Sequence, residues 1–256
     1  MKSKSNHDIL TLAVSLIVAL GLVGTGVAFG IKARDENRVQ GMQDETLAAS
    51  PTPTPKLTND VHGDPEKVRD FNADPAQIAE DGNPALGDLN APIYVVEYLD
   101  LECPYCKVFH ENYFEQLKKD YIDTGKMRYV VKDFPLEVHV NSFPAANAAS
   151  CVYEQNGNDA FFDFVKEAFA RQSDWIKDHE VFADIVKGLG FDVKEFRQCF
   201  DDEKYGDYVT NDFNEADSLG IVGTPAFFVN GKPLVGLAPS YEEFTTAIDE
   251  IVSAQN

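Results

Sequence analysis

Basic charge is scarce in this chain. Its 256 residues carry 22 Lys and Arg against 43 Asp and Glu, a formal charge of −21. Nucleic-acid binding needs a basic footprint, so that class is excluded. The chain has no G-x-G-x-x-G, no P-loop and no Ser-His-Asp constellation. Nucleotide cradles and serine-hydrolase chemistry therefore have no motif to rest on. There is no internal repeat. Cysteine is limited to four residues, and none stands directly after the N-terminal apolar run, which excludes a bacterial lipid anchor at that point.

That apolar run is the longest feature present. Ile9 to Ile31 is 23 residues without a charge, long enough to span a hydrocarbon core of about 30 Å as a helix. It is longer than the apolar core of a secretory signal. We read residues 1–34 as an uncleaved signal anchor. The alternative is a signal peptide cleaved near Ala28-Phe29-Gly30. Lys2 and Lys4 precede the run, and Lys32 and Arg34 follow it, so the positive-inside comparison is close to a tie. A large downstream domain translocates largely regardless, which places residues 35–256 outside. Those residues hold 18 basic and 42 acidic side chains.

Residues 35–75 read as an extracytoplasmic tether. Ala49 to Leu57, "ASPTPTPKL", alternates Pro with Thr. Such a segment favours extended geometry and cannot build a core. Residues 76–256 have globular composition. "PIYVVEYL", Pro92 to Leu99, reads as a strand buried on both faces. A helix follows, with Val108, Phe109, Tyr113, Phe114 and Leu117 at helical spacing and Gly125 at its end. "KMRYVVKDFP" is a second strand, stopped by Pro135. Four helical segments fill about 141–219, the last running unbroken from Asp192 to Gly220. "TPAFFVN" and "KPLVGL" then flank Asn230-Gly231, a strong hairpin signal. A helix over Pro239–Val252 closes the chain. The order βαβ, helical block, ββα resembles a thioredoxin-like α/β fold with an all-helical insertion between its halves.

Cys103-Pro104-Tyr105-Cys106 sits where the first strand passes into the helix. Cys103 is thereby near a helix N-terminus, where unpaired N–H groups favour a negative charge and lower a thiol pKa. Pro104 fits the first turn, where its missing N–H costs nothing. Cys106, one turn in, could resolve a mixed disulfide formed at Cys103. Pro104 and Tyr105 tune the potential of the pair. A static disulfide or half of a zinc site are the alternatives; a C-x-x-C beside a βαβ pattern favours redox chemistry.

The C-x-x-C, "GTPAFFVNG" from Gly223 to Gly231, and the helical block between them resemble the DsbA family of extracytoplasmic thiol-disulfide oxidoreductases. The likeness is to its membrane-anchored, single-domain members and covers about Asp81 to Ile251. It implies Cys103 as the attacking and Cys106 as the resolving cysteine. It implies Pro225 as a cis proline opposite the pair, with Thr224 before it. It also implies Glu97 as a strand acid behind the site that relays the Cys106 proton; the alternative is an outward-pointing Glu97. The implied substrates are exported proteins with paired thiols, and a quinone-linked membrane partner reoxidises the pair. No cofactor or metal is expected, and the domain is expected to act as a monomer. A reductase of the same fold, or a tethered peptide-binding module with a static bridge, are the competing functions.

Pairing Cys103 with Cys106 leaves Cys151 with Cys199, which we read as a structural disulfide. Two buried free thiols, or a second redox pair, are the alternatives. His110 is read as a surface histidine on the helix, because a metal site there would lack its fourth ligand. His139 is read as a loop residue that nothing pairs with the motif. Trp175 and the Phe161, Phe162, Phe164 cluster are expected in the core or a groove wall. The acidic runs "FDDEKYGD" and "NEADS" match no Ca²⁺ loop.

Overall fold

The structure is a computed structural model that describes residues 82–234 and 237–255. The apolar run 9–31 and the tether 35–75 lie outside the described residues. Among the described residues no helix is long and apolar enough to cross a membrane.

Five strands form one sheet in the order β1-β3-β2-β4-β5. The centre is β2 (Ile93–Leu99), parallel to β3 (Met127–Asp133) and antiparallel to β4 (Ala226–Val229). The two edges are short. They are β1 (Ala85–Leu86) beside β3, and β5 (Lys232–Leu234) beside β4, with Pro233 opposite Phe228. Every residue of β2 is buried, as expected for a strand covered on both faces.

Side chains alternate between those faces. Val95, Leu99, Tyr129, Val131 and Phe227 join the larger core cluster. It is covered by α1, a helical stretch over residues 104–122, by the helical insertion, and by α7 (Tyr241–Ala254). Phe109, Phe227 and Phe244 pack there with ring centres 4.8–5.2 Å apart. Tyr94, Val96, Tyr98, Val130 and Phe228 face the other way. On that face Lys132 is buried and pairs with Glu215 at 2.8 Å and Asp212 at 3.5 Å, both on α6 (Gly206–Ser218). The Tyr98 hydroxyl donates to Glu215 at 2.5 Å.

The insertion runs from α2 (Ser142–Ala170) through α3 (Gln172–Trp175), α4 (Glu180–Gly188) and α5 (Val193–Asp201) to α6. These helices span residues 142–218. The sequence suggests two helices where α2 stands, and the backbone holds two helical stretches separated by a break at Gly157 (φ 76, ψ −161). That conformation is open to glycine and strained for other residues. The segment from Asp192 to Gly220 is two helices rather than one. It breaks at the polar run 202–205, where Glu203 takes φ 47. Cys151 in α2 and Cys199 in α5 are joined by a disulfide with Cα atoms 5.8 Å apart. Trp175 is fully buried and donates to Ala168 O at 2.7 Å.

α1 departs from a regular helix. It contains two π-helical turns, His110–Phe114 and Lys118–Ile122. Phe109, Phe114 and Leu117 are buried as the spacing predicts. Val108 is not; it is 40% exposed, because the buried face of the first turn is taken by Cys106 and Phe109.

Candidate active site

The thiol pair is held by a turn that begins at the end of β2. Cys103 is the N-cap of α1, extended at φ −67, ψ 124, and Pro104 opens the helix. The Cys103 N–H donates to Asp100 O, and its own carbonyl accepts from Lys107 N–H, both at 3.1 Å. The buried Asp100 carboxylate fixes this turn. It accepts from Glu102 N–H (2.8 Å), Leu136 N–H (3.0 Å) and the Ser142 hydroxyl (2.5 Å). His139 Nδ1 pairs with it at 2.7 Å, and Asp100 raises the His139 pKa. One side chain thus ties the cysteine turn to the loop after β3 and to the start of α2. Gln172 adds a bond to Leu101 O at 2.8 Å. The Lys107 ammonium reaches Phe169 O.

Both thiols are free, and both are buried. Cys103 is 3% exposed and Cys106 0%, while Pro104 is exposed and Tyr105 half-buried. Opposite them Thr224 and Pro225 are joined by a cis peptide bond. The Cys103 thiol donates to the Thr224 carbonyl at 3.2 Å. The Thr224 hydroxyl is buried without a partner among the described residues, which leaves it free to donate to a thiolate.

The two sulfurs are driven apart in acidity. The Cys103 pKa is lowered to about 6. Donation from the Cys106 thiol is the main cause; Thr224 and the N–H groups of Cys106 and Tyr105 assist, against the opposing effect of burial. The Cys106 thiol is pushed well up, first by burial, then by Cys103 and by the charge of Glu97. This arrangement holds one reactive thiolate and one reserve proton.

Glu97 is near enough for its charge to raise the Cys106 thiol. It faces α1 with Val95 and Leu99, and its side chain is fully buried. Its carboxylate accepts from the Tyr129 hydroxyl at 2.7 Å and meets His110 Nε2 at 3.0 and 3.2 Å. The His110 ring sits between Phe114 and Phe169, with ring centres 4.9 and 5.0 Å away.

The thioredoxin family model matches residues 79–250. A Rickettsia felis protein provisionally named a protein-disulfide oxidoreductase is 32% identical over 180 residues. That match covers 69% of this chain and 62% of the relative, so the chain spans under two thirds of that protein's length. The crystal structure of Wolbachia pipientis alpha-DsbA1 superposes with a TM-score of 0.59 at 31% identity, covering 67% of this chain and 92% of that one. Oxidised BdbD from Bacillus subtilis superposes with a TM-score of 0.61 at 29% identity, covering 68% and 94%.

The chain belongs to the DsbA-like branch of the thioredoxin family. The structure gathers five of the residues that this resemblance singles out: Cys103, Cys106, Thr224, Pro225 and Glu97. It keeps Cys151–Cys199 apart from them, within the insertion. Two expectations need correction. His110 is no surface histidine: it is 8% exposed and bound to Glu97, because the π-helical turn starts at His110 and the ring packs between two buried aromatics. His139 is not idle, because Asp100 links it to the cysteine turn. Tyr129, Asp100 and Ser142 escaped the sequence reading. Asp100 had a local signal, an Asp two residues before an N–H it could turn back to bind. Tyr129 had none beyond its place on a strand. Among the described residues no group of three or more His, Cys, Asp or Glu is arranged to hold a metal ion.

Proposed function

We propose that the chain is an extracytoplasmic thiol oxidase that introduces disulfides into exported proteins through Cys103-Pro104-Tyr105-Cys106. The observation that carries this reading is the contrast in acidity across one turn of helix: Cys103 lowered to about 6, Cys106 raised. A substrate thiolate attacks Cys103 Sγ of the oxidised pair. The Cys103–Cys106 bond breaks, and its electron pair leaves on Cys106, which takes up a proton. The second substrate thiolate attacks its partner sulfur in the mixed disulfide and expels Cys103 as a stabilised thiolate. The substrate has lost two electrons and gained a disulfide; the enzyme has gained the electrons. A well-stabilised leaving thiolate favours this direction. Electrons stay on sulfur throughout, so the step requires no cofactor. A membrane quinone-linked partner then withdraws the two electrons, as the family resemblance implies.

In this reading residues 9–31 hold the domain to the membrane as a single-pass anchor, or the domain is secreted if that segment is cleaved. Residues 35–75 give it reach. Residues 76–256 act as a monomeric catalytic domain, with Thr224 and Pro225 forming the wall against which a substrate chain lies.

The test is oxidation of a dithiol peptide, with Cys103→Ala as control and a redox titration against glutathione. We expect turnover that the variant lacks, and a potential well above the about −270 mV of a reductase. A potential near that value would make the protein a reductase. A wild type no faster than Cys103→Ala would leave only a peptide-binding role.

A further inference from the structure

Every turn of that cycle moves one proton on or off Cys106, and the fold seals this sulfur from water. Glu97 is equally sealed, with a side chain 0% exposed. Its two partners differ. Tyr129 is fully buried, and burial and the Glu97 charge keep its hydroxyl protonated, so it is a dead end for protons. The His110 ring, in contrast, lines a cavity of about 660 Å³ between α1 and α2. Glu111, Glu115 and Lys118 bound it from α1, and Asp159, Asp163 and Lys166 from α2. Glu115 and Lys166, paired at 2.6 Å, are more than 60% exposed, so the mouth is open to water. Leu86 of β1 and the aromatic wall of Phe114, Phe162 and Phe169 complete the lining.

We propose that His110 relays the Cys106 proton between Glu97 and water in this cavity. The path runs Cys106, Glu97, His110, solvent, and it enters the domain on the α1–α2 side. The inference rests on the thiol-exchange reading of the pair. His110 acts through Glu97 and touches no sulfur, so it is a positioning residue for the proton. Imidazole suits the task, because histidine takes up and releases protons near neutral pH. The π-helical turn that begins at His110 sets the ring at the junction of carboxylate and cavity; such turns recur at functional positions.

The test is stopped-flow oxidation of a dithiol peptide by the full chain from pH 5 to 9. His110→Gln retains a donor for Glu97 and cannot shuttle a proton. His110→Ala leaves space that free imidazole can enter. Both variants should be slower by about tenfold or more. Their Cys103 titration, followed by thiolate absorbance, and their equilibrium with glutathione should stay within about twofold of wild type. Added imidazole should restore His110→Ala in a concentration-dependent way. Variants as fast as an active wild type, or a deficit that imidazole leaves untouched, overturn the relay alone. A wild type that exchanges no disulfide overturns the parent reading, and the relay with it.

Discussion

Cys151 and Cys199 are 48 residues apart and joined; Cys103 and Cys106 are three apart and free. Both pairs are buried, so burial does not distinguish a staple from a reactive couple. The surroundings do. All four sulfurs belong to one apolar cluster, but Cys151 and Cys199 sit within two helices of the insertion. Cys103 caps a helix, donates to Thr224 O and accepts from its neighbour, and Cys106 has a carboxylate behind it. A sulfur becomes reactive here through the donors and charges aimed at it.

That contrast can be broken in order of expected size. Cys103→Ala should remove peptide oxidation, a loss on the order of a thousandfold or more, while the Cys151→Ala/Cys199→Ala double variant oxidises the peptide within about twofold of wild type. The same double variant should unfold more easily. A closed loop of this length corresponds to about 4 kcal/mol in the chain-entropy description. Denaturant melts of the two proteins without reductant would show it, and an unchanged midpoint would deny the staple its role.

The third comparison is with pH. The Cys103 thiol falls from 9.0 to about 6 on folding. A depressed acid contributes stability that is full above the unfolded value and lost as pH falls through the folded one. The reduced domain should therefore gain about 2 kcal/mol over reduced Cys103→Ala between pH 6 and pH 8, and the difference should vanish below about pH 5. The oxidised domain, which has no thiol to titrate, should show none of this rise. The smallest effect belongs to Glu97→Gln. Removing its charge should lower the raised Cys106 pKa and slow peptide oxidation by about tenfold. Cys106 Cβ chemical shifts and initial rates read the two halves of that expectation.

Much of this was legible in the sequence, for local reasons. β2 and β3 are strand-length segments rich in β-branched and aromatic residues, and the hairpin is written at Asn230-Gly231, both at positive φ. The C-x-x-C motif marked Cys103 and Cys106, the family resemblance pointed to Thr224 and Pro225, and the fold brings Thr224 to Cys103. The resemblance also pointed to Glu97, while strand alternation left its direction open; the structure turns it inward with Val95 and Leu99. The rest depends on contacts between distant residues. The two residues of β1 carry no periodicity; β3 pairs with them, and the Asn158 side chain accepts from Ala85 N–H at 2.7 Å. The π-helical turns of α1 leave no mark in the spacing. His110 and Tyr129 acquire meaning only once the fold brings them to one carboxylate, 13 and 32 residues away in the chain. Asp100 gathers partners from Glu102 to Ser142, a convergence that single-chain patterns do not record.

The short sheet edges have a further consequence. A protein that works on unfolded chains is exposed to strands seeking a partner, and an open sheet border would capture them. Here one border is two residues long, and the other is three, with a proline in the middle that has no N–H to give. On the proposed thiol-oxidase reading, a client chain finds no long border along this sheet to pair with.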